Sequence, residues 1–70
     1  MKKLDLHGKL HENIESEVIN FIFKHNPPFE IVTGDSKRMK DLVRQVITRH
    51  GLDSHPKNWT NPGSIIVTEK

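Results

Sequence analysis

The sequence predicts a two-layer α/β sandwich, with two helices on one face of a small four-stranded mixed sheet. Three observations carry this. Glu12–Lys24 and Met39–Ile47 place apolar residues at the spacing of amphipathic helices. Leu4–Gly8, Phe29–Thr33 and Ser64–Thr68 read as strands, the last two rich in β-branched residues. The resulting order is strand, helix, strand, helix, weak strand, strand (βαβαββ). Right-handed crossovers progressing in one direction then put both helices on the same side of the sheet.

The elements follow in order. Residues 3–8 alternate, so Leu4 and Leu6 point into the core while Asp5 and His7 share the uncovered face. In the first helix Ile14, Val18, Phe21 and Ile22 form the buried stripe, broadened by Ile19 and Phe23. Glu12 and Glu15 in its first turn suit the helix dipole. His25-Asn26-Pro27-Pro28 ends it, because proline lacks the N–H a helix needs. Phe29–Thr33 is expected to be a central strand, with Gly34 after it. Met39, Leu42, Val43, Val46 and Ile47 give the cleanest helical period, capped by Asp35 or Ser36 and closed by Gly51. Residues 52–58 read as polar and turn-rich, and Trp59 begins or flanks a weak third strand. Asn61-Pro62-Gly63 is a turn into the last strand.

Composition narrows the function. Seventy residues make a single domain, 1–70, without repeats or linkers. The chain has no cysteine, which excludes disulfides, thiolate metal sites and a cysteine nucleophile. No apolar run reaches the ~18 residues of a membrane span, and no signal-peptide pattern opens the chain, so a soluble cytoplasmic protein is expected. The formal net charge is +2 and the isoelectric point about 9.2. Acids gather at Glu12, Glu15 and Glu17, bases at Lys37, Arg38, Lys40, Arg44 and Arg49. That split suits an anionic partner for the second half; the alternative is a solvated helix face.

Two stretches carry chemistry. Asp5 and His7 form a carboxylate–imidazole pair suited to general base work, or else a surface pair at a strand end. Thr33-Gly34-Asp35-Ser36 joins a strand to a helix N-terminus, where unpaired N–H groups attract phosphate. Lys37, Arg38 and Lys40 follow, cations at the positive end of the dipole, where an anion would offset their cost. Among the five histidines, His7 and His11 are separated by Gly8 and a turn, so no metal site and no cofactor are expected.

These residues together resemble the small MutS-related (Smr) domain. Leu4-Asp5-Leu6-His7-Gly8 looks like that family's opening LDLHG. Thr33-Gly34 stands where the family carries TGxG, and Pro62-Gly63 before Ser64-Ile65-Ile66-Val67 is similar to its glycine-then-strand ending. The resemblance covers essentially the whole chain. It implies a βαβαββ fold like the C-terminal domain of bacterial initiation factor three, and binding of nucleic acid, RNA or DNA. It points to Asp5 and His7 as catalytic candidates for nicking or cleavage. Gly34 and the loop after it become phosphate-binding candidates, and the binding set is Gly8, Thr33, Gly34, Asp35, Ser36, Lys37, Arg38, Lys40 and Gly63. The sequence departs from the pattern at Ser36, which replaces the second glycine of TGxG. The expected function is therefore a nucleic-acid-binding domain with endonuclease chemistry, RNA slightly preferred. The alternatives are a binding module without turnover, or a protein adaptor docking through the open sheet face in a larger complex such as a ribosome or repair machinery.

Overall fold

The computed structural model describes residues 1–58 and 63–70. The elements are β1 (Lys2–Asp5), α1 (Ile14–Lys24), β2 (Phe29–Val32), α2 (Lys37–Arg49), β3 (Leu52–Pro56) and β4 (Ser64–Glu69), with one 3-10 turn at His11–Asn13 ahead of α1. They form the expected two-layer α/β sandwich. The sheet order is β1-β2-β4-β3, which makes β2 central as expected. β1 pairs parallel with β2, and β4 pairs antiparallel with both β2 and β3, so β1, β2 and β3 all run the same way.

Alternation sorts the sheet residues. Phe29, Ile31, Ile65 and Val67 face the helices and are buried, in register with one another. They pack with Ile14 and Val18 of α1, with Met39, Val43, Val46 and Ile47 of α2, and with Leu6. Helix α1 packs against α2, and an ion pair of 2.6 Å from Arg49 Nη2 to Glu15 Oε1 spans the two. Phe29 belongs to this core, its ring edge against Phe21 at 4.9 Å between centroids.

Four expectations change. The first strand stops at Asp5 rather than Gly8. The Leu6 N–H still reaches Val32 O, but Lys9 N–H then bonds Leu6 O at 3.0 Å, closing a turn with His7 and Gly8 at its centre. Gly8 holds φ +78°, a conformation glycine adopts freely. Helix α1 begins at Ile14 rather than Glu12, because no side chain caps its entry and the chain enters through the 3-10 turn. Phe23, assigned to the buried stripe, is 77% exposed and sits near His50, with ring centroids 6.3 Å apart. The third strand is Leu52–Pro56, in a stretch read as turn-rich. Its polar residues suit an edge strand, where β4 supplies the ladder and Pro56 at the end loses little. Trp59, Asn61 and Pro62 lie outside the described residues.

The topology decides where function can sit. Because three strands share one direction, their C-terminal ends line one edge of the domain. Asp5, Val32 and Ser64 stand in register there, with Pro56 beside Ile65 one step away. The turn after β1, the loop after β2, the start of α2, the end of β3 and the start of β4 all meet at this edge. In α/β sheets this is the usual place for a ligand.

Candidate functional site

At this edge the His7 turn and the Gly34 loop are neighbours. A Cβ placed on Gly34, whose φ is +68°, would lie 3.7 Å from the His7 Cβ. The sequence motifs, 27 positions apart in the chain, are therefore one site. Asp5 Oδ1 accepts from the His7 backbone N–H at 3.1 Å and lies 3.5 Å from His7 Nδ1. The carboxylate thus fixes the turn and faces one ring nitrogen, leaving Nε2 toward solvent. Both side chains are largely exposed, at 61% for Asp5 and 72% for His7. The pair is an exposed carboxylate–imidazole contact, held by a turn rather than by a strand face.

The phosphate cradle is built differently from the expectation. The Thr33 and Gly34 N–H groups both donate to Gly63 O, at 2.8 and 3.0 Å. Thr33 Oγ1 also donates to Gly63 O at 3.3 Å and to Gly34 O at 3.1 Å. Thr33, Gly34 and Gly63 therefore form a clasp between the end of β2 and the start of β4, with their groups turned on each other. The Ser36 hydroxyl is also engaged, because it accepts from the Met39 N–H at 3.1 Å as the N-cap of α2. What remains open to an anion is the first turn of α2. The N–H groups of Lys37 and Arg38 have no intrahelical acceptor there, and no acid occupies that turn. Asp35 is exposed beside it. Among the described residues nothing lies within 4 Å of where a Gly8 Cβ would be.

Charge sharpens the picture. Lys9, Arg49 and Lys57 each pair with a carboxylate. Lys37, Arg38 and Lys40, at the start of α2, and Arg44, one turn beyond Lys40, have no carboxylate within ion-pair distance among the described residues. Cations left unpaired at the positive end of a helix repel one another and the dipole, and an anionic partner relieves both. Among the described residues no cluster of three or more His, Asp or Glu comes together, so metal ligation has no ready constellation there.

One functional-edge group lay outside the residues singled out in the sequence. Glu30 lies on the sheet face away from the helices, in register with Lys3 and Ile66, and is 7% exposed. Lys57 Nζ sits 3.3 Å from its Oε1. Burial pushes this carboxyl up, but hydrogen bonds from Ser64 and Lys57 and the charges of Lys57 and Lys3 outweigh it, and the group stays below the usual glutamate range. The signal was present in the sequence: a single charge inside an apolar strand read as central. The Lys57 N–H also bonds Ser64 O at 3.0 Å, so this ion pair ties the end of β3 to the same edge. The chain matches no protein-family model, no curated protein and no solved structure.

Proposed function

We propose that this chain is an Smr-like nucleic-acid-binding domain acting in the cytoplasm, with the C-terminal edge of its sheet as the binding surface. The observation that carries the reading is the set of four cations without a carboxylate partner among the described residues in the N-terminal half of α2, at the same sheet edge as the exposed Asp5–His7 pair. The phosphodiester backbone is the partner whose charge this arrangement complements. Lys37 and Arg38, with their backbone N–H groups, take a phosphate at the helix start.

The accessible His7 Nε2 favours a second reading, in which bound RNA is also cleaved. His7 takes the proton of a ribose 2′-OH as that oxygen attacks the adjacent phosphorus. The P–O5′ bond breaks, leaving a 2′,3′-cyclic phosphate, and water protonates the departing 5′ oxygen. Asp5 holds the imidazole and stabilises its charge, while Lys37 and Arg38 offset the charge growing on phosphate. RNA is preferred because its own hydroxyl is the nucleophile. The amides of Thr33 and Gly34 already donate to Gly63 O, which supports a stabilisation drawn from the start of α2.

Labelled single- and double-stranded RNA and DNA, incubated at low and high salt with and without Mg²⁺, test both readings. Wild type is compared with His7→Ala and with Lys37→Glu/Arg38→Glu. Salt-dependent binding lost in the charge-reversed protein supports the binding reading. Cleavage lost in His7→Ala with affinity kept supports the nuclease. Absence of binding to every substrate refutes both and leaves a protein adaptor.

A further inference from the structure

On the far side of the α2 start from His7, a pocket of about 80 Å³ opens between α2 and the edge strand β3. It is lined by Lys40, Arg44, Ser54, His55, Pro56 and Ile65. Its floor is apolar, and its rim carries two cations one helical turn apart, neither with a carboxylate partner among the described residues. No acid lines it. Lys37, Lys40 and Arg44 fall at i, i+3 and i+7, so they form one stripe along α2. The stripe runs about 10 Å from the helix start to this pocket.

The volume limits the occupant. It is about half the roughly 150 Å³ of a cavity that encloses benzene, so a flat ring rests one face or edge in it and is not swallowed. An apolar seat with cations on its rim matches a nucleotide, whose sugar or base is apolar on one face and whose phosphate is anionic. We propose that this pocket is a second nucleotide subsite for single-stranded nucleic acid. One base rests on Pro56 and Ile65, Ser54 offers its hydroxyl, and Lys40 and Arg44 hold the phosphate. The strand then runs along the Lys37–Lys40–Arg44 stripe from the His7 turn to β3, and an unpaired strand is required because a duplex cannot turn a base into the pocket. This inference rests on the nucleic-acid reading above.

The test is binding of a fluorescent single-stranded RNA octamer across a salt series. Wild type is compared with Lys40→Ala/Arg44→Ala and with Ser54→Phe, which fills the pocket but leaves the charges. Thermal melts verify that each variant is folded. Loss of the one phosphate held by these two cations is expected to weaken binding about tenfold and to lower the log–log salt slope by about 0.7. The Ser54→Phe protein should bind several-fold more weakly with the salt slope unchanged. In wild type, the amide NMR signals of Ser54 and His55 should move on addition of the octamer. If wild type binds the octamer but both variants match it and those signals stay still, the pocket is overturned while the nucleic-acid reading stands. If wild type binds no octamer, the nucleic-acid reading itself falls and the subsite with it.

Discussion

Removing the Lys57 ammonium, as Lys57→Met, isolates the ion pair that holds β3 to the functional edge. The Glu30 side chain is 9% exposed and that of Lys57 47%, so one partner is inside the protein and the other half in water. Breaking a fully buried pair costs about 3–5 kcal/mol, whereas an exposed pair contributes about 0–1. Lys3 and Ser64 still face the carboxylate, so the structure points to a loss of about 1.5 kcal/mol at pH 7. In a domain of this size that lowers Tm by roughly 6–12 °C. The pH dependence follows from the sign of the shift. Glu30 has a lower pKa folded than its ordinary value of 4.5, so its charge contributes stability above that pH and loses it as pH falls through the folded value. The gap between wild type and Lys57→Met should therefore narrow on acidification below about pH 4.5. Urea or thermal unfolding at a series of pH values between 7 and 3 measures it. A gap that stays constant down to pH 3 would refute the electrostatic argument and leave only the packing of the Lys57 stem. Glu30→Gln gives the converse: it frees Lys57 at the binding edge, so RNA affinity at low salt should rise while stability falls.

Three other outcomes follow from the same geometry. Ser36→Ala removes the hydroxyl that accepts from Met39 and should cost about 1 kcal/mol. Ser36→Asp keeps the cap and suits the dipole, so its Tm should hold while nucleic-acid affinity drops several-fold, which a melt and an anisotropy titration separate. Gly34→Ala forces a side chain into φ +68° and should cost about 1–2 kcal/mol, read by urea denaturation. Its Cβ meets His7 only at ordinary contact distance, so any RNA cleavage should survive in the folded fraction. Val43→Ala empties part of the core beneath α2 and should cost about 2 kcal/mol, visible as a lower denaturation midpoint with an unchanged m-value.

Local patterning determined most of the architecture. The apolar period of α2, the serine at its start and the glycine after its end fixed that helix nearly to the residue, because caps and periodicity are properties of neighbouring positions. The short apolar, β-branched run of Phe29 to Thr33 pointed to a central β2 in the same way. Where the outcome depended on a distant strand, the sequence was silent. Leu52–Pro56 becomes a strand because β4 lies beside it, and no short-range preference in that polar stretch announces the pairing. The candidate site divides along the same line. Asp5, His7, Gly34 and the cations of α2 were legible as residue types suited to phosphate chemistry. That the amides of Thr33 and Gly34 are spent on Gly63, that Ser36 is a cap, and that Lys40 and Arg44 meet β3 at a pocket were decided only by the tertiary fold. Hydrogen-bond partners and pocket walls come from chain segments tens of residues apart, which only the folded chain brings together.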